Sequence, residues 1–271
     1  NTRIKAIEFN STQLANYTLT KFGSGCPPEI AIYIHGYNRD DGEAKEEFNR
    51  IQQSLQHNNY RIPLVGFSWE SKVLWEIAKS NAKQSGENLS KYIIELNRKC
   101  PTTDIRIIAH SLGAAVVDSV LVSLDNSSNL NKKIASVHLL GAAINNQSIA
   151  KDTAFGKAIN DIVDKFYNLY NPEDDGLKVN QLYENHQPLG LVETTKMLVP
   201  SNYFDTNVAY EIIPFSDADG NGNVEECFEN IKPVQKWGDN HCGYIGFRNQ
   251  DEGSLRDDGA TNIVVRDWIK S

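Results

Sequence analysis

The sequence predicts an α/β fold, with a mainly parallel central sheet and helices on both faces. Three observations carry that prediction. From Glu29 onward, short continuous apolar runs alternate with segments of helical spacing, the pattern of strands buried on both faces and joined by crossover helices. Residues 105–117, IRIIAHSLGAAVV, read as a β-branched strand, a tight turn with a serine at its apex, and an immediate small-residue helix. The residue types suited to chemistry, Tyr37, Ser111, Asp174 and the loop after Phe215, all fall at the carboxyl ends of predicted strands, where open α/β sheets bind ligands.

Taken in order, residues 3–22 alternate apolar and polar positions, which predicts a pair of edge strands or a hairpin. Residues 30–34, IAIYI, form a continuous apolar strand that ends at His35-Gly36-Tyr37-Asn38. Helical spacing follows in Ala44, Phe48, Ile51 and Leu55, and a strand over 62–67 leads into Ser68-Trp69-Glu70. Residues 73–100 have helical periodicity with a break expected near Gly86, because glycine weakens a helix interior. After the serine turn come a helix to about Leu124, a strand over 134–140, a helix over about 149–162 and a strand over 166–170. Residues 178–207 have mixed patterning, which fits an inserted cap, a lid or a long loop; its apolar residues suit a lid over an acyl pocket and plain core packing equally well. Residues 209–215 read as the last strand, and 262–269 as a closing helix with Val265 and Trp268 on one face.

Bulk properties narrow the classes. The 271 residues suit one α/β domain and can bury a full core. The formal net charge of −8 disfavours nucleic acid or an anionic membrane as main partner. No apolar run approaches the roughly 20 residues of a membrane span. No signal peptide is present, and a chain beginning with asparagine reads as processed or trimmed, compatible with a signal segment ahead of it. The four cysteines, Cys26, Cys100, Cys227 and Cys242, form no C-x-x-C pair, which argues against zinc. Cys26 and Cys100 each lie just before a predicted strand; if those strands are parallel neighbours a bridge between them is feasible, and Cys227 then pairs with Cys242 by elimination. Such pairing points to an oxidising, extracytoplasmic compartment, and so to a secreted protein.

The chemistry follows from the serine. A-H-S-L-G is the nucleophile-elbow pattern G-x-S-x-G with alanine first, and Ala109 adds only a methyl where backbones approach closely. A serine hydroxyl needs a base to take its proton, and the base needs an oriented partner. Of six histidines, His241 lies in the loop after the last predicted strand and is the expected base. His35 reads as a turn stabiliser, and His110, beside the serine, should point away from it. Asp174 is the expected acid, with Asp175 the alternative, and an acidic cluster capping a turn is the plainer reading. The oxyanion would be held by the backbone N–H groups of Leu112 and Tyr37, with Gly36 permitting the turn.

Residues 216–230 hold D-x-D-x-N-G, the first half of a calcium loop, with Asp217, Asp219, Asn221, Asn223 and Glu225 as oxygen ligands. Phe228 occupies the twelfth position, where that loop type needs a bidentate glutamate, so a hydrophilic turn explains the composition as well. Catalysis by this serine machinery requires no cofactor; calcium, if bound, would be structural.

With IYIHGYN, GFSWE, IIAHSLGA, NLYNPEDDGL and NHCGYIGF in this order, the chain resembles the α/β-hydrolase superfamily, in particular its lipase- and esterase-like branch. The resemblance covers about residues 30–269 and implies a single α/β-hydrolase domain over 1–271. It implies that the strand before His35 lies beside the strand before Ser111, which favours the Cys26–Cys100 bridge, and that Asp174 is the acid. Its expected activity is serine hydrolysis of a small-molecule or lipid ester. Amide, thioester or peptide cleavage by the same residues, or a non-catalytic secreted binding protein on this fold, are the alternatives.

Overall fold

The computed structural model describes residues 2–5, 11–21, 25–127, 130–194, 198–212, 241–248 and 255–270. Its centre is a seven-stranded, wholly parallel sheet. The strands are β1 (Thr2–Lys5), β2 (Glu29–Ile34), β3 (Leu64–Ser68), β4 (Asp104–His110), β5 (Ile134–Leu140), β6 (Val163–Tyr170) and β7 (Tyr203–Asn207), in the spatial order β1-β3-β2-β4-β5-β6-β7. The order runs one way from β2 to β1 and the other way from β4 to β7, so the switch point lies between β2 and β4. Their register pairs Ile34 with Ala109 and Ala109 with Leu139, so three strands end level at that crevice.

The strands are apolar on both sides because both sides are covered. In β2, Ile30, Ile32 and Ile34 pack into the larger core with α3 (Trp75–Lys99), α4 (Gly113–Ser127) and α5 (Ala154–Ile162). Ala31 and Tyr33 face the opposite core, with Phe48, Ile51 and Leu55 of α2 (Asp41–His57) and Val264 and Trp268 of α7 (Thr261–Ile269). An antiparallel pair, β8 (Phe247–Arg248) and β9 (Leu255–Asp257), lies apart from the main sheet.

Four sequence expectations change. Residues 3–22 are not a hairpin: β1 is a short parallel edge strand, and Ser11–Lys21 is a helix, α1. Buried Ala15 and Thr18, with Leu19 against the core, mark a helical face, and Thr18 accepts a 3.0 Å hydrogen bond from the Tyr92 hydroxyl. Gly86 does not break α3, which runs unbroken for 25 residues. A Cβ there would lie 2.6 Å from the Val116 carbonyl oxygen, so the glycine lets α3 and α4 approach closely, offsetting its about 1 kcal/mol helix penalty.

The stretch 178–207 is not wholly an inserted cap or loop. It begins inside α6 (Asp175–Glu184) and ends as β7, the sheet's edge strand. Leu189, Leu191 and Tyr203 are buried, whereas Leu198 is exposed; Met197 lies outside the described residues. The last strand is accordingly β7 and not 209–215: residues 209–212 are turns, and 213–215 lie outside the described residues. Polar residues hid β7 in the sequence, because Asp205 is satisfied internally by Asn168 at 2.9 Å and by the Thr194 amide at 2.9 Å.

Cys26 and Cys100 form a disulfide at the amino ends of β2 and β4, with Cα atoms 5.4 Å apart. That bond is consistent with an oxidising, extracytoplasmic setting. Cys227, the expected partner of Cys242, lies outside the described residues. Among the described residues no helix is long and apolar enough to cross a membrane.

Candidate active site

The turn after β4 is built on close backbone contact. Ser111 has φ of +54°, the left-handed region that costs an L-residue about 1–2 kcal/mol. Surrounding hydrogen bonds hold it there. Its N–H donates to the Leu140 carbonyl at 3.0 Å, and its own carbonyl accepts from Ala114 and Ala143, each at 3.1 Å. A Cβ on Gly113 would lie 2.8 Å from the carbonyl oxygens of both Ile34 and His35, and one on Gly36 would lie 2.9 Å from the Ser111 Cβ. Glycine is required at both places. Ala109 meets no such limit, since it is a buried strand residue paired with Ile34 and Leu139, so alanine serves where the motif more often has glycine.

The structure brings Ser111, His241 and Asp174 together. His241 Nε2 lies 2.8 Å from Ser111 Oγ, and His241 Nδ1 lies 2.7 Å from Asp174 Oδ2. A carboxylate only accepts, so Nδ1 carries the proton and donates to Asp174; Nε2 is then the acceptor for the Ser111 hydroxyl. All three are withdrawn from solvent, at 6%, 4% and 0% exposure for Ser111, His241 and Asp174.

Asp174 is fixed by its own turn. It caps α6, Oδ1 accepting from the Leu177 N–H at 2.9 Å, which leaves Oδ2 for His241. Asn171 Oδ1 accepts from the Glu173 N–H at 2.9 Å and the Asn171 carbonyl accepts from the Asp174 N–H at 3.1 Å, so the loop arrives at the cap already folded. Gly176 passes beneath the imidazole, where a Cβ would be 3.0 Å from the His241 side chain. Asp175, the alternative acid, instead pairs with Lys178 at 3.2 Å, as does Glu173 at 3.3 Å.

Leu112 follows the serine and Tyr37 follows Gly36, whose added Cβ would meet the Ser111 Cβ, and neither N–H donates to an acceptor among the described residues. The Tyr37 turn is clamped to the segment after β3. The Trp69 N–H donates to His35 Nε2 at 3.1 Å, so His35 Nδ1 carries its proton and donates to the Gly36 carbonyl at 2.9 Å. The Asn38 N–H donates to the Ser71 carbonyl at 3.2 Å, the Tyr37 hydroxyl donates to the Val73 carbonyl at 2.8 Å, and the Tyr37 ring meets Trp75 edge-on. His35 thus stabilises the turn and stands apart from Ser111–His241.

Sequence reasoning missed what lies behind the imidazole. His110 points away from Ser111, as expected, but reaches the His241 carbonyl, with Nε2 2.8 Å from that oxygen. Burial, and then the neighbouring His241, pushes the His110 pKa down to about 4. Deeper still, Arg39 pairs with Glu47 at 2.5 Å, the Tyr33 hydroxyl donates to Glu47 at 2.8 Å, and an Arg39 Nη2–H donates to Cys242 Sγ at 3.4 Å. Burial opposes the Glu47 charge, but Arg39 and other nearby cations outweigh it and hold that carboxyl well below the usual range. The only sequence signal was the juxtaposition of a histidine with the elbow serine; Glu47 sat at a helical position indistinguishable from a solvated one.

The expected calcium ligands Asp217, Asp219, Asn221, Asn223 and Glu225 lie outside the described residues. Among the described residues no cluster of metal-ligating side chains is present.

Residues 16–221 match the model of the family described as alpha/beta hydrolase of unknown function (DUF900), and the chain belongs to that family. No curated protein matches the chain significantly. Similar solved structures include Trichoderma reesei cutinase in complex with a C11Y4 phosphonate inhibitor, with 20% identity, 56% of this chain and 70% of that chain covered, and a TM-score of 0.34. A gene product of Listeria innocua is 11% identical, with 66% and 83% covered and a TM-score of 0.44. A cutinase-like protein from Cryptococcus sp. is 16% identical, with 69% and 78% covered and a TM-score of 0.33.

Proposed function

We propose that this family member is a serine hydrolase that cleaves carboxylic esters, small-molecule or lipid, through an acyl-enzyme. The observation that carries the reading is the unbroken hydrogen-bonded chain from Ser111 Oγ through His241 to Asp174, with Nε2 left as the proton acceptor. In the first half-reaction Ser111 Oγ attacks the ester carbonyl carbon as its proton passes to His241 Nε2. Asp174 stabilises the imidazolium that forms. The carbonyl oxygen, now negative, accepts hydrogen bonds from the Leu112 and Tyr37 amides. The tetrahedral centre collapses, the C–O bond to the alcohol breaks, and His241 returns the proton to the departing oxygen. Water then attacks the acyl-Ser111 carbonyl with His241 as base, releasing the acid and restoring the hydroxyl. Every proton and electron pair in this sequence is handled by groups of this chain and water. Calcium in the Asp217–Glu225 stretch, as a tether for the loop that carries His241, and export from the cytoplasm belong to the same reading.

The test is turnover of p-nitrophenyl esters from acetate to palmitate beside labelling by a fluorophosphonate, for the protein and for Ser111→Ala. Loss of both activities in the variant, by about 10⁴-fold or more in turnover, is expected. Labelling of Ser111 without turnover of any ester would move the substrate class to amides or thioesters. A folded protein that neither labels nor turns over an ester would sink the enzyme reading in favour of a binding role.

A further inference from the structure

We infer that His110 is a positioning residue for His241: its Nε2–H holds the His241 main-chain carbonyl and so sets the imidazole between Ser111 and Asp174. The inference rests on the triad reading above. His110 Nε2 lies 2.8 Å from the His241 carbonyl oxygen, and the two ring centres are 4.9 Å apart. A carbonyl only accepts, so the proton of His110 is on Nε2. The ring is buried and its Nδ1 has no hydrogen-bond partner, which makes the bond to His241 the one hydrogen bond of that side chain among the described residues.

The converse holds for His241. Among the described residues the His110 N–H is the hydrogen bond that ties the His241 main chain to the end of β4. His110 ends β4 and immediately precedes Ser111, so one strand end carries both the nucleophile and the group that registers the base against it. That economy has a physical use: a shift of β4 moves Ser111 and the His241 anchor together, and the Oγ to Nε2 distance is preserved.

The donor is also of the right charge. Glu47 and Arg39 of the buried ion pair face His110 from behind, and Tyr33 donates to the same carboxylate. Burial keeps His110 neutral, so it supplies an N–H without adding a positive charge beside the imidazolium that His241 becomes during turnover. A partner that lacked the N–H would leave the His241 carbonyl buried and unpaired.

His110→Leu removes the donor at similar volume, and His110→Gln restores an N–H on a flexible side chain. With a p-nitrophenyl ester, His110→Leu should lower kcat about 10–100-fold with KM within about twofold, and should slow fluorophosphonate labelling of Ser111 by the same factor. His110→Gln should recover most of both rates. Folded His110→Leu protein that labels and turns over within about twofold of the starting protein overturns the inference, and so does a His110→Gln variant no better than His110→Leu. Should His110→Leu fail to fold, the ¹⁵N spectrum of the unmodified protein still decides. A His110 ring protonated on Nε2 and slow to exchange supports the role, and one protonated on Nδ1 overturns it. An unmodified protein that is inert to both probes overturns the triad reading instead, and that outcome is seen before any His110 variant is made.

Discussion

The turns after β4 and after β6 deliver side chains to the same point on the sheet edge by opposite means. Ser111 combines close packing with backbone hydrogen bonds: a left-handed backbone at φ +54°, its N–H and carbonyl both bonded, in a turn where neither Gly36 nor Gly113 has room for a Cβ. Asp174 sits in ordinary extended backbone, φ −65° and ψ 103°, and is oriented by side-chain hydrogen bonds, as the cap of α6 at the end of a turn pre-folded by Asn171. The serine turn therefore tolerates almost no added volume but is indifferent to side-chain polarity. The aspartate turn depends above all on its acceptors, Asn171 Oδ1 and Asp174 Oδ1, and is tight in volume where Gly176 passes the imidazole. A nucleophile must present its Oγ at a fixed point, which a strained turn achieves; a charge-stabilising carboxylate needs fixed oxygens, which a cap achieves.

Four substitutions or conditions separate these two modes. The largest effect should come from Asp174→Asn. The amide oxygen still caps α6, so the melting temperature should change little, while kcat falls on the order of 10³–10⁴-fold because the group facing His241 loses its charge. A drop in stability as large as the drop in rate would mean that Asp174 is chiefly structural.

Gly113→Ala should do the reverse. Its methyl would lie 2.8 Å from two backbone oxygens that cannot rotate away, so a loss of about 1–3 kcal/mol, visible as a melting temperature lower by several degrees, is expected. An unchanged melting curve would show the elbow to be looser than its contacts imply.

Acid titration sharpens the contrast further, because His110, the residue that leads into the serine turn, is a buried neutral imidazole. The His110 pKa falls from 6.5 to about 4 on folding, so between those values the unfolded chain binds the proton and the native protein does not. Stability from this site is therefore full above pH 6.5 and declines as pH falls toward 4, by about 3 kcal/mol at most. Chemical denaturation at pH 7 and pH 4.5 should show a smaller decline in His110→Gln than in the unmodified protein. Equal declines would remove His110 from the account.

The smallest effect belongs to Asp175→Asn. Its carboxylate pairs with Lys178 in a half-exposed bridge, so kcat/KM should stay within about twofold and stability within about 0.5 kcal/mol. A large loss would mean that the two neighbouring aspartates share the role given to Asp174.

Much of this was legible in the chain. Buried parallel strands announce themselves as apolar runs, and the residues of β2, β4 and β5 were read in place because β-branched and other apolar residues dominate them, with only isolated polar positions such as Arg106 and His138. Ser111 was legible because a serine between a β-branched run and a small-residue helix has one geometric meaning. The edges were not. In residues 11–21 the described part of the helical face is Ala15, Thr18 and Leu19, of which Thr18 is polar and fits an accidental alternation, and in β7 an internally satisfied Asp205 imitates a loop.

By itself the sequence determined the alternation of strands and helices, the position of Ser111 on its turn, and the short set of residues from which the proposed base and acid are drawn. Those features are written in local spacing, within a strand or a helical turn. Only the tertiary structure places Asp174, and not Asp175, against the His241 imidazole, since adjacent residues of one type differ in which one faces the ring, and that depends on the cap that starts α6. It alone decided that Gly86 lies within a continuous helix, that β7 closes the sheet, and that His110 reaches the backbone of a residue 131 positions away. Such pairings join strand ends and loops remote in sequence, and no local pattern records them because the free energy that fixes them is released only when the sheet has assembled.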